Sequence, residues 1–86
     1  EIDLVAWEGT TLVFVEVKSR LTAEFGSPER AVGNAKTRAL IRSARDYARR
    51  AGVAWERVRF DVVSVVFSDP PAISHFADAF PAGRAV

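Results

Sequence analysis

Val13, Val15 and Val17 alternate with Leu12, Phe14, Glu16 and Lys18. A two-residue period sustained over seven positions specifies a β-strand, and it sets Leu12, Phe14, Glu16 and Lys18 on one face. A carboxylate and an ammonium thus continue a face that begins with two large apolar side chains, so solvent is not their only destination. Residues 2–7 read as a second strand, and Glu8-Gly9-Thr10 between the two marks a hairpin. Loop length decides the register. If Trp7 pairs with Leu12, leaving a four-residue loop, Asp3 lies directly opposite Glu16. If Trp7 pairs with Thr10, Asp3 lies opposite Phe14 and diagonal to Glu16. Either register gathers Asp3, Glu16 and Lys18 on one face, and Glu1, two residues before Asp3, joins them.

Residues 19–27 read as a polar loop. Ser27-Pro28-Glu29 carries the marks of a helix start: serine as cap, proline at the first position and an acid in the first turn. Val32-Gly33-Asn34 interrupts it, and Asn34 can cap a second helix over about 35–51. In that helix Leu40, Ile41, Ala44, Tyr47, Ala48 and Ala51 form an apolar stripe, with Tyr47 expected in the core. Arg38, Arg42, Arg45 and Arg49 form another stripe, and Gly52 ends the helix. Val58–Phe67 reads as a strand that is apolar from Asp61 on except for Ser64, as expected of burial on both faces. Ser68-Asp69-Pro70-Pro71 is a turn, Ala72–Phe76 a short edge strand, and Pro81-Ala82-Gly83 part of a fraying tail. A hairpin, a crossover helix and a further strand make an α/β domain with a mixed sheet, and a crossover between parallel strands should be right-handed.

With 86 residues the chain is read as one small domain, 1–86, with a modest core. It has no cysteine, which excludes disulfides and thiolate zinc sites, and its one histidine, His75, excludes a multi-histidine metal centre within one chain. His75 is expected at the surface or on the edge strand. No apolar run reaches the ~18 residues of a membrane span and no signal-peptide pattern opens the chain, so the expected location is cytoplasmic, away from any membrane. The chain opens on a strand without a methionine, and a preceding N-terminal piece is expected.

The net charge of +1 conceals an asymmetry. Residues 36–59 carry eight bases against two acids, whereas residues 1–35 carry six acids against three bases. Ten of the twelve bases are arginine, the residue suited to bidentate phosphate contacts. An acidic pocket beside a basic helix suits a metal-dependent enzyme with a polyanionic substrate; a merely solvated helix face is the alternative. Asp3 and Glu16 offer hard oxygen ligands for Mg²⁺ or Mn²⁺, and the backbone carbonyl of Val17 can add a third. Adjacent carboxylates repel, and a cation relieves that repulsion. It can also activate a water and stabilise charge on a scissile phosphate, with Lys18 assisting as charge builds. Against this stands a plain Glu–Lys pair on a solvated strand with Asp3 as an edge charge. Asp61 either approaches the site or makes a structural ion pair, the latter being favoured. Trp7 and Trp55 can stack on bases, but packing is the expected role of both.

The runs Glu1-Ile2-Asp3-Leu4-Val5, Leu12-Val13-Phe14-Val15-Glu16-Val17-Lys18-Ser19-Arg20, Pro28-Glu29-Arg30-Ala31-Val32 and Arg59-Phe60-Asp61-Val62-Val63 together resemble the YraN family of uncharacterised bacterial proteins. That family is similar to the restriction-endonuclease-like PD-(D/E)xK nucleases and to archaeal Holliday-junction resolvases. The resemblance covers nearly the whole chain. It implies a restriction-endonuclease-like core with the sheet flanked by helices, Asp3, Glu16 and Lys18 as the metal and catalytic set, and Lys36 as a basic residue lining the site. Glu1 matches a glutamate of the family run. The resemblance also implies a preceding helix and strand that this chain lacks. The expected activity is Mg²⁺-dependent hydrolysis of DNA, branched or structured DNA included, with Arg38, Arg42, Arg45 and Arg49 on the phosphate backbone. Two rivals come from other classes: a nucleic-acid-binding domain that does not cut, and a structural domain whose exposed sheet edges pair with another chain as a homodimer.

Overall fold

A computed structural model of the chain describes residues 2–21 and 34–81. Four strands form one sheet in the order β1-β2-β3-β4, with β1 Leu4–Glu8, β2 Thr11–Arg20, β3 Val58–Val66 and β4 Ala72–Phe76. The helix α1, Asn34–Ala51, crosses between the central strands. β1 and β2 are antiparallel, β2 and β3 parallel, β3 and β4 antiparallel, so the sheet is mixed and the domain α/β. Among the described residues α1 is the one α-helix flanking the sheet. The expected helix start at Ser27-Pro28-Glu29 lies outside the described residues, as does Glu1. No described helix is long and apolar enough to cross a membrane.

The hairpin adopts the first of the two registers, with Trp7 opposite Leu12, and it closes more tightly than a four-residue loop because Glu8 also pairs with Thr11. Gly9, with φ of 60°, occupies the first central position of the two-residue turn, where the hairpin turn of type II′ needs a positive φ. At its other end α1 is rich in Ala, Leu, Lys and Arg, all strong helix formers, and stops at Gly52, whose φ is 70°. Gly52 N–H donates to the Arg49 carbonyl at 3.2 Å and Val53 N–H to the Ala48 carbonyl at 2.9 Å, the paired bonds of a Schellman cap.

Register alone divides the sheet into two faces. Leu12 pairs with Val58, Phe14 with Phe60, Glu16 with Val62 and Lys18 with Ser64, so these residues and the β1 residues Val5 and Trp7 share the face that carries α1. Leu12, Phe14, Val58 and Phe60 make the core there with Ala44 and Ala48, whose small side chains let the helix sit close. Phe60 stacks on Phe14 and on Phe80, and Phe80 is held by a backbone bond from Ala79 N–H to the Phe60 carbonyl at 2.8 Å. The segment after β4 therefore folds back onto β3 through residue 80 before any tail begins.

Three expectations need correction. β3 is not evenly buried on both faces: Val58, Phe60, Val62 and Ser64 are buried on the face that carries α1, whereas on the other face Asp61 is buried but Arg59, Val63 and Val65 are only half-buried. Trp7 does not pack away; it lies on edge strand β1, all of whose residues are exposed, and is 59% exposed. Tyr47 is not core. Its ring meets the edge of Phe14 at 5.7 Å, yet the residue is 45% exposed, because it lies on the flank of α1 rather than on the line of Leu40, Ala44 and Ala48.

Candidate functional site

Strand β2 carries Glu16 and Lys18 two residues apart, hence on the same face, and the length of β2 beyond β1 leaves that end of the sheet to side chains. Asp3 precedes β1 in a bend. In the hairpin register it stands opposite Glu16, and the next rung would join Ile2 to Val17. That rung is replaced: Val17 N–H donates to Asp3 Oδ2 at 2.9 Å. Asp3 thereby caps the end of the ladder with its carboxylate, and Ile2 packs against the core instead. A strand residue presents its N–H and C=O to the same side, so the Val17 carbonyl also faces the Asp3 edge.

Glu16 is 5% exposed. A buried carboxylate needs charge partners, and here it has two. Lys18 Nζ lies 3.3 Å and Lys36 Nζ 2.5 Å from Oε2. The sequence spacing supplied Lys18; α1 delivers Lys36 from its first turn. Among the described residues both ion pairs fall on the same oxygen, and Oε1 carries none. Two ammoniums on one oxygen also face each other. The contact with Lys36, then burial, hold Lys18 below the ordinary lysine range despite the pull of Glu16. Lys36, more exposed, is raised, first by Glu16. Of the pair, Lys18 releases its proton the more readily.

Asp3, Glu16, Val17, Lys18 and Lys36 are thus brought together at one end of the helix-bearing face. Asp61 is not. It pairs with Val15 and so projects from the opposite face. There it is 1% exposed and fully engaged: Arg59 Nε and NH2 donate to its two oxygens, each at 2.8 Å, Asp78 N–H donates to Oδ1 at 3.0 Å, and His75 Nε2 lies 2.7 Å from Oδ2. Burial pushes the Asp61 carboxyl up, but Arg59, the Asp78 amide and His75 outweigh it and hold the group below its ordinary value. Arg59 also reaches Glu8 at 2.6 Å and is held well above the usual arginine value, first by Asp61 and then by Glu8. The site-lining reading of Asp61 gives way to a structural network, which places His75 on the edge strand. The pairing of Arg59 with Asp61 and Glu8 was not anticipated from the sequence; the Arg59-x-Asp61 spacing, which puts both on one strand face, was the available signal.

The arginine stripe divides. Each helix residue turns about 100°, so Arg45 and Tyr47 leave Ala44 on opposite flanks. Arg45 lies 4.5 Å over the Trp55 ring, a cation–π contact on the β3 flank. Trp55 packs as expected, its ring 6.0 Å from Phe60. Arg49 pairs with Asp46 at 2.5 Å. Arg38 and Arg42 are exposed and make no ion pair among the described residues. Lys36 and Tyr47 stand on the other flank, toward β1.

The donor set of two carboxylates and a carbonyl is of the hard-oxygen kind that suits Mg²⁺ or Mn²⁺. The described residues contain no group of three His, Cys, Asp or Glu able to hold a metal, so any ion there would draw on backbone oxygen and water, as Mg²⁺ commonly does.

No solved structure matches the chain. Among curated proteins, the chain is 52% identical over 80 residues to a UPF0102 protein of Solibacter usitatus, covering 93% of this chain and 61% of that one. It is 46% identical over 81 residues to one of Anaeromyxobacter dehalogenans, covering 93% and 60%. It is likewise 46% identical over 82 residues to one of Rhodococcus jostii, covering 93% and 70%. The chain thus spans about three fifths of the length of the first two relatives. The model of the uncharacterised protein family UPF0102 matches residues 1–65, the stretch that holds the hairpin, α1 and most of β3. The chain belongs to UPF0102, the YraN family.

Proposed function

We propose that the chain is the core of a metal-dependent endonuclease with a restriction-endonuclease-like fold, hydrolysing phosphodiester bonds of DNA, branched or structured DNA included. The observation that carries this reading is Glu16: a buried carboxylate beside Asp3 at the open end of a sheet face, with Lys18 on its own strand. Asp3, Glu16 and the Val17 carbonyl would hold Mg²⁺ or Mn²⁺. The bound ion would supply water activation and charge neutralisation at the phosphate. Lys18, on the same strand face as Glu16, can hydrogen-bond to a phosphate oxygen as charge develops there. Lys36, half-exposed on a flexible stem, can turn from Glu16 to a phosphate. Arg38 and Arg42 would neutralise backbone phosphates, giving salt-sensitive and sequence-independent affinity.

Calorimetry with Mn²⁺ on the parent and Asp3→Asn tests the centre. Saturable binding that disappears in Asp3→Asn supports it, and cleavage lost in Lys18→Ala with metal binding retained then assigns the lysine. Equal Mn²⁺ binding by parent and Asp3→Asn removes the site. One observation favours a second reading, a nucleic-acid-binding domain of the same fold that does not cut. Oε2 of Glu16 already meets two ammoniums, so its charge is compensated without a metal. DNA affinity in a folded protein that binds no Mn²⁺ would establish that alternative.

A further inference from the structure

On the helix-bearing face, at the end remote from Glu16, an open cleft separates the β1 end of the hairpin from the last turn of α1. Trp7 lines it and is 59% exposed, and Tyr47, one turn before Ala51 on α1, is 45% exposed. Trp7, Gly9, Ala51, Gly52 and Arg57 border about 500 Å³ of open space there. Two large aromatic side chains thus keep about half their surface in water on one face, which forgoes burial energy, although Tyr47 also touches core Phe14.

We propose that this cleft binds an unpaired segment of a nucleic acid, its bases stacking on Tyr47 and Trp7 and its phosphates running between Lys36 at one end and Arg57 at the other. The proposal rests on the nucleic-acid half of the reading above and names the substrate feature: a single-stranded stretch next to the site. Two observations and one general rule support this occupant. First, the spacing fits. Trp7 pairs with Leu12, four residues along β2 from Glu16, or ~13 Å at strand rise, which four stacked nucleotides at ~3.4 Å each would cover. Tyr47 meets Phe14, midway between those two positions. Second, the charge fits. Arg57 is exposed and makes no ion pair among the described residues, and Lys36 is half-exposed. Third, an aromatic surface with cationic ends is the arrangement that holds single strands irrespective of sequence.

The test is fluorescence anisotropy in EDTA with a labelled single strand of about a dozen nucleotides and a duplex of equal length. The parent should bind the single strand, Trp7→Ala should weaken it about tenfold, Tyr47→Ala should weaken it less, and Trp7→Phe should recover most of the loss. Duplex affinity should stay the same in all four. Equal single-strand affinity in parent and Trp7→Ala overturns the proposal, as does an equal loss on both ligands. So does a parent that binds no single strand, or sedimentation in which Trp7→Ala only dissolves a dimer of the chain. Because EDTA removes cutting from the readout, the nuclease reading fails separately: a Trp7-dependent strand affinity without Mg²⁺-dependent cleavage keeps the cleft and discards the enzyme.

Discussion

The sheet carries a buried carboxylate on each face, and the two are treated differently. Asp61 is met by a forked guanidinium, a backbone amide and an imidazole, which together occupy both of its oxygens. Glu16 is met by two ammoniums on one oxygen. Arginine's planar fork matches a carboxylate and fixes it, whereas a lysine is a point charge on a long stem. The Asp61 cluster ties β1, β3 and β4 together through Glu8, Arg59 and His75. The Glu16 cluster ties only β2 to the first turn of α1, by a half-exposed side chain that can leave. Similar ingredients therefore give a clamp on one face and an open centre on the other.

The comparison breaks most readily at the clamp. Asp61→Ala should strand the Arg59 guanidinium and cost about 3 kcal/mol in urea unfolding; a loss under about 1 kcal/mol would mean that Glu8 alone satisfies Arg59. The same group sets an acid limb. Its folded pKa lies below its ordinary value, so its contribution is complete above the ordinary carboxylate range and is lost as pH falls through the lower folded value. The stability gap between parent and Asp61→Asn should therefore close as the pH falls below about 4; a gap that persists or widens there would reverse the assignment.

Glu16→Gln should cost less, about 1.5 to 2 kcal/mol, because it removes one charged acceptor while Lys36 can move into water. The repulsion between Asp3 and Glu16 expected from the sequence would have made this substitution neutral or stabilising, and the lysines reverse that sign. A gain in stability would show that the carboxylates, not the ammoniums, dominate the local field. Lys36→Ala, at a half-exposed position, should change stability by less than about 1 kcal/mol, which sharpens the contrast if Mn²⁺ binding is kept.

Much of the architecture could be read from local pattern. The valine alternation and Gly9 placed the hairpin, and the apolar stripe with Gly52 placed α1, because period and turn chemistry act over a few residues. Asp3, Glu16 and Lys18 share a face for the same reason. What escaped was set by contacts between distant segments. Whether Asp61 points to Glu16 or away depends on the parallel register of β2 against β3, which no local pattern states. Tyr47 and Trp7 read as packed because aromatics usually are; their exposure follows from an edge strand and a helix flank. Lys36 was expected at the site only through the family resemblance, since it meets Glu16 by the crossover that brings the start of α1 over the end of β2.

That crossover has a kinetic consequence. Every β2–β3 rung joins residues 46 positions apart, from Leu12 with Val58 to Arg20 with Val66. The β1–β2 hairpin can close on its own in about 1–10 μs, and α1 can nucleate locally. Neither gains its buried face until the long loop has been closed at an entropic cost. Barrier crossing should therefore wait on β3 finding β2, so substitutions at Val58 and Phe60 should slow folding while those in the β1–β2 turn mainly speed unfolding.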